Sequence, residues 1–191
     1  MSAVVMTKSI AEAQPRFKAR MAGVFYLITF VGGSIALAFG RRLGVYFNAA
    51  NVVTTVSYIA VTLLFYDLFK PVNKGLSLLA ALFSLAGLVI GTLSLFHLIS
   101  SPINNLVFFG FYCLLIGYLI FRSTFLPRAL GVLMAFGGLG WLTFLSPALA
   151  KVLSPYNLAP GILGEGVLTL WLLVFGVNAE RWKEQANAQL H

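Results

Sequence analysis

The stretch GLSLLAALFSLAGLVIGTLSLFHLI, residues 75–99, decides the fold class. It runs for 25 residues without an Asp, Glu, Lys or Arg. At about 1.5 Å per helical residue, that is enough to cross a hydrocarbon core of roughly 30 Å. Backbone in lipid has no water to bond, so a spanning segment is a helix or a strand of a closed barrel. The sustained two-residue alternation of a barrel strand is absent, and the helix remains.

Five further apolar runs lie on either side, at about 20–39, 46–69, 106–122, 129–145 and 161–178. Charged or Pro/Gly/Asn-rich punctuation separates them at Arg41-Arg42, Lys70 to Lys74, Ser101 to Asn105, Arg122 to Arg128, and Ser146 to Pro160. The chain is 60% hydrophobic and only 9% charged, against about 25% charged in a soluble domain. These features predict an all-α integral membrane bundle of six transmembrane helices over residues 20–178. A cytoplasmic segment, 1–19, precedes it and a cytoplasmic tail, 179–191, follows it. Ala36-Leu37-Ala38 resembles a signal-peptidase site, but the apolar stretch before it is long for a signal peptide and cleavage would leave an odd helix count.

The net charge is +8. Its distribution excludes nucleic acid as a partner, because the basic residues stand singly or in pairs and form no face interleaved with aromatics. Their placement fits membrane orientation instead. Lys8, Arg16, Lys18, Arg20, Lys70, Lys74, Arg122, Arg128, Arg181 and Lys183 fall on one side, and only Arg41, Arg42 and Lys151 on the other. The positive-inside rule puts both termini in the cytoplasm. The bilayer is then the first partner. Cys113 stands alone in an apolar run and reads as a small core residue. No metal site and no cofactor is expected.

Two stripes shape the expected packing. Asn48, Asn51, Thr55, Tyr58, Thr62 and Tyr66 share one face of the second helix. Interhelical hydrogen bonding accounts for them most simply. The alternative is a polar cavity wall at Thr55, Tyr58 and Thr62, where single cysteines would react with an aqueous thiol reagent. On the third helix, Ser77, Ala80, Ser84, Gly87, Gly91 and Ser94 form a small-residue face expected to pack on the second helix. Gly23, Gly33 and Gly40 on the first helix and Gly131 and Gly138 on the fifth read the same way. Glycine-rich faces also suit a homo-oligomer.

Glu165 is the most informative ionisable residue. It is expected about one turn into the last helix, near the outer interface, where the helix dipole favours a negative charge. Asn48, Asn51, His97 and Glu165 come from outer helix ends and form the candidate polar site. Arg41 and Arg42 flank the same side as candidate charge partners of Glu165. Asp67 is expected to pair with Lys70. Three functions follow: binding or transport of a small molecule, or a role in a membrane assembly; a membrane-embedded enzyme with an outward-facing Glu165/His97 site; or a structural bundle anchored by a Glu165 ion pair. No catalytic motif is present, which weighs against the enzyme.

Four stretches carry a family resemblance: RMAGVFYL (20–27), FKPVNKGLSLLAALFSL (69–85), FFGFYCLLIGYLIFRSTFLPRALGVLMAFGGLGWL (108–142) and APGILGEGVLTLWLLVFGV (159–177). Together they resemble the bacterial multi-pass membrane proteins grouped as domain of unknown function 4386. The resemblance implies a helical bundle, usually six-pass, in the bacterial cell membrane, with no established biochemical activity. The family's Gly-Glu pair near the start of the last helix matches Gly164-Glu165. The segment between the first two helices, Phe39 to Asn48, is shorter than is typical of the family. The resemblance carries over no catalytic residues.

Overall fold

The computed structural model describes residues 3–100 and 103–189, with the side chains of 3–13, 37, 38, 41, 43 and 45 left aside. The helices are α1 (Ala3–Phe39), α2 (Val45–Phe69), α3 (Lys74–Leu95), α4 (Asn105–Arg122), α5 (Arg128–Leu142), the short α6 (Pro147–Leu153), α7 (Ala159–Val174) and α8 (Ala179–Asn187). Six stretches are long and apolar enough to cross a membrane, one on each of α1 to α5 and α7, the fifth running on to Leu145 and the sixth starting at Tyr156. The protein is therefore all-α, with the composition and helix lengths of a multi-pass membrane bundle. Leu27, Val31, Leu78, Leu82 and Val89 are exposed on the outer surface, as expected where the solvent is lipid.

Side-chain caps set several boundaries. Asn73 accepts the Leu76 N–H at 2.9 Å to start α3, and Asn104 accepts the Leu106 N–H at 2.9 Å to start α4. Residues 3–19 are helical and continuous with the first span. The last span is displaced from its expected bounds. Pro160 sits inside its first turn, where a missing N–H costs nothing, so α7 begins at Ala159. It ends early because Gly176 takes φ +67°, and the chain turns into α8.

The spans form a closed ring. Each packs on its neighbours in chain order, and α7 closes the circuit against α1. Glycines set the closest approaches. A Cβ at Gly117 would lie 2.7 Å from the Gly131 carbonyl oxygen, and one at Gly131 would lie 2.6 Å from that of Gly117. Gly138 meets Gly110 in the same way one heptad on. The other face of α5 meets α7, where a Cβ at Gly164 would lie 2.5 Å from the Leu133 carbonyl oxygen.

Three expectations about small residues change. Ser77 and Ser84 do face α2, bonding the Tyr66 carbonyl at 3.0 Å and the Thr62 hydroxyl at 2.6 Å. Gly87 and Gly91 instead meet Asn105 and, for Gly87, Phe108 on α4. A heptad-spaced stripe drifts by about 20° per seven residues on a straight helix, so the far end of α3 turns to a different neighbour. Gly33 has no atom within 4 Å of a Cβ position, and Gly40 is a helix breaker at φ +51°. Among the named α1 glycines only Gly23 is a packing residue, against Leu173.

The basic end of the ring is tied together. Asp67 pairs with Lys70, as expected, and also with Lys18 of α1. Trp182 of α8 donates to the Leu68 carbonyl at 2.8 Å, one of the acceptors left open at the end of α2. Asn178 donates its N–H to the Phe125 carbonyl at 3.1 Å. Thus α8 folds back beneath the α4–α5 turn.

These approaches predict opposite outcomes at two glycines. Gly131→Ala should lower thermal stability in detergent by about 1–3 kcal/mol through overpacking. Gly166→Ala meets nothing within 4 Å and should be neutral or stabilising by about 0.5–1 kcal/mol. Melting curves of the two variants provide the check.

Candidate functional site

The ring places Glu165 at its centre, not at its rim. It lies six residues beyond Ala159, about 9 Å along the helix, and is only 7% exposed. The dipole benefit fades beyond the first turn, so it does not offset this burial. The expectation of a first-turn carboxylate is corrected by the position of Pro160, which lies inside α7.

Hydrogen bonds solvate the carboxylate instead. Tyr26 of α1 donates to Oε2 at 2.8 Å, and Trp141 of α5 donates its Nε1–H to Oε1 at 2.7 Å. Cys113 of α4 offers its thiol to Oε1 at 3.6 Å. Four spans thus converge on one side chain. Gly161 makes this possible: a Cβ there would lie 2.3 Å from the Trp141 ring, so only glycine lets the indole lie against α7. Around the carboxylate, Tyr26 and Tyr58 meet edge to face at 5.6 Å, with hydroxyls 3.5 Å apart. Tyr58 also contacts Phe109 and Tyr112. The Tyr112 hydroxyl is buried with no hydrogen-bond partner among the described residues.

Among the described residues, the donors to Glu165 are all neutral. Arg42 is exposed and is not among its partners. The Arg41 side chain lies outside the described residues. Beside the carboxylate is a cavity of about 330 Å³, lined chiefly by Phe30, Ser34, Leu106, Trp141 and Ile162 as well as Glu165 itself. A buried carboxylate beside neutral donors and a mostly apolar cavity can hold a proton or a cationic group.

The remaining candidate residues separate from this site. His97 and Asn48 line a different cavity of about 360 Å³, with Phe47 and Gly44. Asn51 donates to the Phe47 carbonyl at 2.8 Å within its own helix. Among the described residues, His97 and Glu165 line different cavities and are not brought together as an acid–base pair. His97 has a backbone role. It takes φ +56°, its N–H bonds the Ser94 carbonyl at 3.1 Å, and Leu98 reaches back to Leu93 at 2.9 Å. This is the left-handed turn that ends a helix, a position glycine usually holds.

The stripe on α2 divides too. Thr62 is 1% exposed and bonded to Ser84 and to the Tyr58 carbonyl, so it belongs to the α2–α3 contact. Tyr58, 6% exposed, belongs to the aromatic surround of Glu165. Thr55 is partly buried and lines neither of these cavities. Tyr26 and Trp141 were not singled out from the sequence, and Cys113 was set aside as a core residue. Their one usable signal was a polar atom on an otherwise apolar face.

Comparison with known proteins agrees with the resemblance read from the sequence. Residues 104–176 match the family model described as domain of unknown function (DUF4386). The matched region includes Cys113, Trp141 and Glu165 but not Tyr26. An uncharacterized protein of Archaeoglobus fulgidus is 29% identical over 127 residues, covering 62% of this chain and 76% of that protein. No solved structure matches the chain.

A backbone role for His97 predicts that His97→Gly keeps stability, because glycine adopts positive φ freely. His97→Val should destabilise. The melting temperatures of the two variants test this.

Proposed function

We propose that this protein lies in the bacterial cell membrane with both termini cytoplasmic and binds a small apolar molecule bearing a protonated amine beside Glu165. The observation that carries the reading is the Glu165 carboxylate on the cavity wall, bonded among the described residues to neutral donors alone. Such a group gains most from a partner that brings a positive charge. Phe30 and Trp141 add aromatic faces suited to a cation, and the 330 Å³ cavity is of ligand size, at the lower end of the range of about 300–1,000 Å³. The ten basic residues counted on one side support the orientation.

The amine donates to a carboxylate oxygen while its apolar body fills the space toward Leu106 and Ile162. Tyr26 and Trp141 fix the carboxylate, so little rotamer freedom is lost on binding. A proton competes for the same oxygens, so binding weakens as the solution is acidified.

Calorimetry on purified protein with benzylammonium as probe and neutral benzyl alcohol as control tests the reading. Glu165→Gln keeps an amide oxygen to accept a bond from Tyr26 or Trp141, so the fold should survive. Loss of a charge-assisted bond worth about 1.5–3 kcal/mol should weaken benzylammonium binding roughly tenfold or more. Benzyl alcohol should be indifferent to the substitution. Equal benzylammonium affinity in the two proteins would leave Glu165 as a structural hub.

A further inference from the structure

A second cavity lies at the other end of the molecule and shares no residue with the first. Its volume is about 390 Å³, and it forms where Arg16 of α1, the α4–α5 turn and the α7–α8 turn meet. Arg16 and Arg181 line it, together with Asn178 and Thr124. No Asp or Glu is among the lining residues. Asp67 takes Lys18 and Lys70 as its ion-pair partners, away from this cavity. Among the described residues, neither guanidinium has a carboxylate partner. Arg181 is held in place by donating to the Thr124 carbonyl at 3.4 Å.

Two further features point to an anion. The cavity lies beside the N-terminus of the nine-residue α8, capped by Asn178 through its bond from the Arg181 N–H at 3.1 Å. That end carries unpaired N–H groups and the positive pole of the helix. The opposite wall is apolar, with Trp171 and Phe175 in ring contact at 4.5 Å. A polar, doubly basic floor beside an aromatic wall matches a molecule with an anionic head and an apolar body.

The geometry points to a phosphate-binding site here, occupied by the headgroup of an anionic phospholipid. Arg16 and Arg181 each present a planar fork that fits phosphate oxygens. The Trp171–Phe175 wall lies beside the first acyl carbons. Basic pockets between spans near a membrane surface bind anionic headgroups by this arrangement.

The test is thermal stability of the full chain in micelles doped with phosphatidylglycerol, phosphatidylcholine or, separately, inorganic phosphate. Phosphatidylglycerol should raise the melting temperature of the native protein, with phosphatidylcholine and free phosphate giving no comparable rise. Arg16 is exposed, so Arg16→Gln should melt normally without lipid. Its half-saturating phosphatidylglycerol concentration should increase roughly tenfold, reflecting one lost charge-assisted contact. Arg16→Lys should recover part of the response. An equal response of the native and Arg16→Gln proteins would overturn the site. An equal rise with phosphatidylcholine would reduce it to acyl-chain contact. An equal rise with inorganic phosphate would reassign it from lipid to a soluble phosphate.

Discussion

The hydrogen bonds that Tyr26 and Trp141 give Glu165 set the terms for the rest of the molecule. A carboxylate at the centre of an apolar ring is costly unless something replaces its water. Tyr26 and Trp141 do so at the two carboxylate oxygens, from helices that are far apart in sequence. For both to reach one carboxylate, α1, α5 and α7 must approach closely and in a fixed register. The closed ring meets that demand, and the aromatic cluster around Tyr58 fills the space left over.

Close approach needs small residues, and this explains the wording of the last span. In APGILGEG, Gly161 admits the Trp141 ring and Gly164 admits the backbone of α5 at Leu133. The helix is thinned on the face that carries the carboxylate. Helices in lipid gain little from apolar burial against one another, so tight backbone contact carries much of the association. On α5 two glycine faces serve two neighbours: Gly131 and Gly138 meet α4, while Gly137 and Gly140 meet α7.

The sequence made the six spans legible because membrane crossing imposes a length and a polarity that few other structures share. The Asp67–Lys70 pair was legible for a similar reason: helical spacing alone brings the two together. Glu165 stood out because a carboxylate among apolar residues is conspicuous. Its surroundings were not visible, since Tyr26, Cys113 and Trp141 come from three other helices and each is ordinary in its own segment. The pairing of Glu165 with His97 failed for a related cause. Both lie toward the same end of the bundle, but depth says nothing about which way a side chain faces in a ring. The start of α7 lies ahead of the boundary that Pro160 suggests, because a helix admits proline in its first turn.

Closure of the ring by α7 on α1 also fixes an order of events. The chain is made from α1 onward, so Tyr26 enters the bilayer long before the carboxylate that it will bond. Trp141 waits as well, though for less time. Until the last span arrives, neither donor has the Glu165 acceptor, and α1 lacks one of its two neighbours. Glu165 thus acts as a lock turned at the end of synthesis, and a chain that stops after α5 has every part of the hub except the one that joins them.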